Sequence, residues 1–298
     1  MTFEELSDIA DFPNWLEITP IEYGRSGENK YHIIRNNGVQ LILRTSDIAN
    51  YKRHRDSAIF AKYMHDVLGL NMNVPVEVAA CNGDKLAYTI YSWVEGADAD
   101  RRILNAHTPE QAKLGEKAGI LLKKIHSVEA PEDIMAWDEF SIPRLDALLK
   151  RFAEIKTPFR GDKAAIRFLE NNRELLKGRP QTALHGDFRS GNLIFDAEGE
   201  YGVIDFDRWC WGDPYMDFQC IRRSCSVPFS RGQINGYFGG AIPREFFSLM
   251  CFYTAAEIIQ GICDAYPHGT HAISEAVAYA EKTAREYDGF EGMVPSWY

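Results

Sequence analysis

The chain has 298 residues, 45% of them apolar and 26% charged, with a formal net charge of −10. That length holds one large domain or two lobes, each with its own core. The negative charge argues against wrapping nucleic acid or an anionic membrane surface. The six cysteines, Cys81, Cys210, Cys220, Cys225, Cys251 and Cys263, form no C-x-x-C pair and lie near no His cluster. That argues against a zinc site. The opening "MTFEELSDIA" has no basic n-region or apolar h-region. No run approaches the ~18 apolar residues that span a bilayer. The expectation is a reduced, cytoplasmic chain with buried free thiols and no membrane contact.

The first ninety-odd residues read as strands. "EITPIEYGRSGENKYHIIRNNGVQLILRT" gives strand, Gly-containing turn, strand, "NNG" turn, strand. Residues 51–68 read as a helix, and two more strands flank the "NGD" turn at 82–84. After Gly96 the pattern becomes helical. "TPEQAKLGEKAGILLKKIHS" aligns Leu114, Ala118, Leu121, Leu122 and Ile125 on one face, with Thr108 as N-cap and Pro109 at the first helical position. Helices are also predicted over 143–155, 163–176, 244–262 and 271–287. Inside this half lies a short hairpin island, "NLIF" and "YGVIDF", joined by "DAEGE". The fold class is therefore α+β, with two domains: a β-rich N-lobe over 1–92 and a mainly helical C-lobe over 93–298. The segment 228–243 reads either as a lid or as a packed loop, and its glycine content favours mobility.

The island carries the chemistry. "LHGDFRSGNLIF" spaces Asp187 and Asn192 with four intervening residues, and Asp205 ends the next strand. Phosphoryl transfer needs the acceptor hydroxyl held in line and the phosphate charge neutralised by Mg²⁺. A loop Asp can accept the hydroxyl's hydrogen bond and take its proton late. An Asn oxygen and a second carboxylate suit Mg²⁺, which prefers hard oxygen ligands and keeps several waters. A hairpin with Asn192 and Asp205 at adjacent ends brings those ligands together.

"HGDFRSGNLI" followed by "VIDFDRWCWGDPYMDF" resembles the signatures of the aminoglycoside phosphotransferase and choline kinase family, small-molecule kinases with the protein-kinase-like bilobal fold. The resemblance runs from Ile21 to about Tyr287. It implies Asp187 as catalytic base, Asn192 and Asp205 as Mg²⁺ ligands, and His185 as a brace of the catalytic loop. Asp207 and Asp213 would sit near the site or structure the segment behind it, and Asp217 would cap or anchor a helix. Asp213 and Asp217 read as turn and cap residues rather than metal ligands. Arg189 would meet a phosphate oxygen or pair with Asp207. Trp209 and Trp211 read as packing residues.

In the N-lobe, "YGRSGENKY" offers Gly24, Ser26 and Gly27 as a turn whose backbone N–H groups can face phosphates. Arg44 stands where the fold places its third-strand cation, and its fork can meet phosphate bidentately. Its expected partner is Asp56 on the following helix, with a one-residue slip onto Ser57 as the alternative. In the hinge "YSWVEG", backbone groups of Ser92 and Val94 would meet a nucleotide base, with Ile42 and Ile204 on its faces.

The reading is an ATP- or GTP-dependent kinase that moves the γ-phosphoryl group to a small-molecule hydroxyl, with Mg²⁺ as cofactor. No nucleic-acid, membrane or protein partner is implied. Residues 241–298 hold eight acids against three bases, a net −5, and Glu257 and Asp264 there are candidates to contact a cationic substrate. The family resemblance, together with that acidic segment, implies an aminoglycoside-like or other amine-bearing acceptor. A small metabolite (amino alcohol, sugar or amino acid) is the alternative, and a non-catalytic nucleotide-binding module a further one. Gly212 follows Asp205 by seven positions, which leaves no room for a protein-kinase activation loop.

Overall fold

The computed structural model describes residues 3–22, 27–223 and 225–298. By compactness these form two units: residues 1–99 with 192–209, and residues 100–191 with 210–298. The hairpin island is thus grouped with the first unit, whereas the sequence reading assigns it to the second.

The first unit is built on a five-stranded antiparallel sheet in the order β1-β2-β3-β5-β4. Its strands are β1 (Trp15–Pro20), β2 (Asn29–Arg35), β3 (Gln40–Asp47), β4 (Pro75–Cys81) and β5 (Leu86–Ser92). Alternation along β2 and β3 puts Tyr31, Ile33, Leu41 and Leu43 into one core with Leu6, Ile9 and Ile90. The other face of β2 and β3 carries Lys30, His32, Ile42 and Arg44, with Lys30 opposite Arg44 and His32 opposite Ile42. Helix α1 (Tyr51–Leu68) follows β3, and its C-cap Gly69 takes the left-handed conformation (φ 59°) that ends helices. A short strand β6 (Ala97–Asp98) closes the first segment.

The second unit is helical. It contains α2 (Ala99–Asn105), α3 (Thr108–Ile125), α4 (Trp137–Ile155), α5 (Asp162–Asn171) and a short strand β7 (Thr182–Leu184). The cap of α3 is His107, in extended backbone, and Thr108 and Pro109 are its first two helical residues. This corrects the expected Thr108 cap by one position. Leu114, Ala118, Leu122 and Ile125 are buried on α3, while Leu121 is half-buried. Helix α4 starts six residues before the predicted boundary, because Pro143 lies in its second turn rather than at its start. Buried Trp137 anchors that start by donating from Nε1 to the Tyr253 hydroxyl at 2.8 Å. The predicted 163–176 helix breaks at Asn172, whose Nδ2 donates to the Phe168 carbonyl at 2.7 Å.

After β7 the chain forms the hairpin β8 (Leu193–Phe195) and β9 (Tyr201–Val203), with β6 paired to β8. It then returns through β10 (Cys210–Gly212) to α6 (Val227–Phe238), α7 (Arg244–Ala265) and α8 (Thr270–Glu286). The segment 228–243 takes the packed one of its two readings. Most of it is α6, with Phe229, Ser230, Gln233, Ile234 and Tyr237 buried. Helix α6 lies against α3 backbone to backbone. A Cβ on Gly115 or Gly119 of α3 would sit 2.0 Å from the Phe229 or Gln233 carbonyl oxygen. One on Gly232 or Gly236 of α6 would sit 2.1 Å from that of Ala112 or Glu116. The four glycines allow a crossing that no side chain would admit.

With the turn that follows it, helix α7 is long and apolar enough over residues 244–268 to cross a membrane by length and composition. It packs as a core helix, with Phe246, Leu249, Met250, Phe252, Ile258 and Ile262 among its buried residues. All six cysteines are free thiols.

Candidate active site

Asp187 lies on the loop that leaves β7. His185 is fully buried and Gly186 has φ 80°, which glycine adopts without strain. The loop backbone is held from below by Asp217. Its carboxylate accepts the N–H groups of His185 and Gly186 at 2.8 and 2.7 Å. It also lies 3.0 Å from His126 Nε2, and His126 Nδ1 is 2.9 Å from the Tyr237 hydroxyl. Burial alone would raise the Asp217 pKa. The His126 hydrogen bond, the neighbouring imidazoles and the His185 N–H outweigh it and hold the carboxyl below its ordinary value. Asp217 therefore supports the loop that carries Asp187, where the sequence reading expects it to cap or anchor a helix. Asp213 accepts from the Tyr215 N–H at 3.0 Å as a cap, and also pairs with Arg179 and the Tyr253 hydroxyl.

The Asp187 N–H donates to His185 Nδ1 at 3.3 Å. Its carboxylate accepts from Arg189 Nε at 3.2 Å, and the Cys220 thiol sulfur lies 3.9 Å away on the other oxygen. Arg189 thus pairs with Asp187, and the Asp207 carboxylate is taken by Arg44. Burial, then the neighbouring carboxylates, push the Cys220 thiol well up, so it stays protonated.

The two acids expected to face a cationic substrate are already paired. Glu257 binds Arg223, whose guanidinium lies over the Tyr279 ring at 5.4 Å. Asp264 is half-exposed, binds Arg151 at 3.2 Å and accepts from Gln260 at 2.6 Å.

In the first unit, Leu193 pairs with Val203 and the Ile204 N–H donates to the Asn192 carbonyl at 3.0 Å. Asn192 and Asp205 therefore stand together at the open end of one hairpin. Asp205 has left-handed backbone (φ 72°, ψ 57°), which is uncommon outside glycine and clusters at functional sites. Arg44 Nη1 reaches Asp205 at 3.1 Å, and Lys30 Nζ lies 3.9 Å from its other oxygen. Arg44 also binds Asp207 and Glu28. Burial works against the Arg44 charge, yet Asp207, Asp205 and Glu28 together raise its pKa. Asp207 is raised by burial, against the pull of Arg44 and with the push of Asp205 and Glu28.

Asp56 does not reach Arg44. It is half-exposed and pairs with Lys52 and Arg55. Its helix register turns it outward, and Ser57 is the buried neighbour that lines the space around Arg44. Glu28 is the partner instead. The Ser92 N–H donates to the Val74 carbonyl at 2.8 Å. Val94 is buried against Gly202 of β9. Gly27 has φ 68°, whereas Gly24 and Ser26 lie outside the described residues.

Lys30, Glu28 and the His126–Asp217 support were missed. Lys30 was legible, because alternation in "NKYHIIR" puts it on the Arg44 face. Glu28 and His126 meet partners far along the chain and left no local signal.

Asn192 and Asp205 suit Mg²⁺ by donor type, both being hard oxygen ligands. Among the described residues no group of three His, Cys, Asp or Glu is placed to hold a metal. Mg²⁺ does not require one, since it binds through one or two side chains with phosphates and waters completing the shell.

A model of the phosphotransferase enzyme family matches residues 17–247. No curated protein matches the sequence. Among solved structures, the gentamicin complex of APH(2″)-IIa is 17% identical with a TM-score of 0.66, covering 94% of this chain and 95% of that one. The ADP-bound aminoglycoside phosphotransferase APH(2″)-Ib is 16% identical at TM-score 0.64, covering 95% and 99%. A thermostable mutant of aminoglycoside phosphotransferase APH(4)-Ia with ADP and hygromycin B is 15% identical at TM-score 0.70, covering 95% and 98%. These likenesses show the protein-kinase-like fold that the sequence predicts. The match over most of its length makes the chain a member of the phosphotransferase enzyme family, a small-molecule kinase.

Proposed function

We propose that the enzyme moves the γ-phosphoryl group of ATP or GTP to a hydroxyl of a small molecule. The observation that carries this is the hairpin end. Two oxygen ligands, Asn192 and Asp205, stand beside two cations, Lys30 and Arg44, on the strands that precede them. Asn192 and Asp205 would hold Mg²⁺, which when bound neutralises phosphate charge. Arg44 and Lys30 would meet phosphate oxygens once they release Asp205. Asp187 would accept the hydrogen bond of the acceptor hydroxyl, orient it and take its proton late in transfer. Asp217, by fixing the N–H groups of His185 and Gly186, keeps that carboxylate in place. The six free thiols suit a reducing compartment, and a cytoplasmic location is part of this reading.

The acceptor proposed is an aminoglycoside or another amine-bearing compound, on the strength of the acidic 241–298 segment. The known structures of this fold that hold gentamicin and hygromycin B lend support. The pairing of Glu257 with Arg223 and of Asp264 with Arg151 favours a second reading, a less cationic metabolite such as an amino alcohol, sugar or amino acid. The test is turnover of ATP and GTP with Mg²⁺ against aminoglycosides, amino alcohols, sugars and amino acids, beside Asp187→Ala. A saturable acceptor whose turnover falls by ~10³ or more in the variant is expected. Turnover that survives Asp187→Ala would remove the assignment. Nucleotide binding without turnover across a broad panel would favour a non-catalytic module.

A further inference from the structure

The Arg44 side chain is 5% exposed and has a carboxylate partner, but not one on the helix that follows its strand. Where the sequence reading looks for an acid on α1, the inward side of that helix presents a serine and a histidine, Ser57 and His54, with Arg53 beside them. The acid comes from the other side. Glu28 sits just after the Gly27 turn, one residue before β2, and its side chain is 3% exposed.

One Glu28 oxygen takes both Nε and Nη2 of Arg44, at 2.8 and 2.6 Å. The other oxygen takes Arg53 and lies 3.6 Å from His54 Nε2. Because the guanidinium is planar, fixing two of its nitrogens on one oxygen fixes the direction of the third. That third nitrogen, Nη1, is the one that reaches Asp205.

We infer that Glu28 is the positioning residue for Arg44, an acid moved from the helix to the end of the phosphate turn, with the helix supplying Arg53 as counter-charge. The inference rests on the phosphotransfer reading above. Arg53 ties the same carboxylate to α1, so Glu28 links strand to helix.

The test is calorimetric titration of the full-length protein with a non-hydrolysable ATP analogue and Mg²⁺. Wild type, Glu28→Gln, Glu28→Asp, Arg44→Met and the Glu28→Gln/Arg44→Met double variant are compared. Glu28→Gln is expected to bind about tenfold more weakly. Glu28→Asp should recover most of that loss. The double variant should bind no more weakly than Arg44→Met alone, because Glu28 acts through Arg44. A purely structural acid would give additive losses. Affinity of Glu28→Gln within twofold of wild type, or full additivity, would overturn the inference. Should Glu28→Gln fail to fold, Arg53→Gln carries the test, with about a threefold loss expected and an unchanged affinity decisive against. If the wild type itself binds no nucleotide, the phosphotransfer reading falls, and that outcome is distinct from a wild type that binds and a Glu28→Gln that matches it.

Discussion

Asp217 and His126 meet at 3.0 Å with both side chains almost wholly buried, and the same carboxylate carries two backbone N–H groups of the loop that presents Asp187. A buried charge is costly unless it is paired and hydrogen-bonded. Here every approach to the carboxylate is a donor, so its removal leaves an imidazole and two amides stranded together. Asp217→Asn should cost about 3–5 kcal/mol of stability, read by denaturant titration. It should also lower turnover more than nucleotide affinity, because it loosens the Asp187 loop. Stability within 0.5 kcal/mol of wild type would show the cluster to be unimportant.

The same carboxyl sets an acid limit. Its folded pKa lies below the ordinary 3.8. A group depressed in the fold contributes stability that is fully present above its unfolded pKa and is lost as pH falls through its folded one. Acid unfolding should therefore steepen below about pH 4. Asp217→Asn should flatten that limb in a pH series of melting curves.

His54 acts in the opposite part of the pH scale. It is 5% exposed, between Ser46 Oγ at 2.9 Å and Thr89 Oγ1 at 2.8 Å. Burial holds its pKa below 6.5, and the pull of Glu28 is opposed by Arg44 and Arg53. The unfolded chain then binds the extra proton, so stability rises with pH up to about 6.5 and levels off above it. His54→Gln should remove part of the loss between pH 6.5 and 5.5. An identical pH slope in both proteins would count against this.

Lys30→Met and Asp205→Ala separate the two charges at the hairpin end. Lys30→Met should weaken nucleotide binding about tenfold and leave proton transfer at Asp187 intact. Asp205→Ala should abolish Mg²⁺-dependent turnover. Mg²⁺-titrated kinetics decide, and an unchanged Mg²⁺ requirement in Asp205→Ala would remove it from the metal site.

At the crossing of α3 and α6, propensity and packing compete. Gly119→Ala gains about 1 kcal/mol of helix propensity. Its methyl group would stand 2.0 Å from the Gln233 carbonyl oxygen, against backbone that cannot turn aside. Overpacking costs about 1–3 kcal/mol and more against backbone, so a net loss is expected in thermal melts. A raised melting temperature would mean that the helices separate easily.

What was legible in the sequence was local. Alternation and the "NNG" turn point to β2 and β3, and apolar spacing points to α3. The HGD-to-Asn and IDF spacings placed Asp187, Asn192 and Asp205 on a loop and a hairpin, where the structure has them. What failed depends on distance or on register. Glu28 bonds Arg44 and Arg53, 16 and 25 positions away, and an acid beside a glycine turn gives no sign of that. Residue type points to Asp56, but the helix register turns it outward. The glycines of 228–243 left a lid and a packed loop undistinguished, because glycine serves mobility and close packing alike. In α6 two of its glycines are there to let α3 approach.

The sharing of Arg44 has a thermodynamic consequence. Three carboxylates, Glu28, Asp205 and Asp207, stand against three cations, Arg44, Lys30 and Arg53. The cluster is by itself electroneutral. A metal–nucleotide complex arriving there meets little local net charge and must trade one set of ionic contacts for another. Its association should then respond only weakly to ionic strength, unlike a ligand drawn in by an open patch of opposite charge.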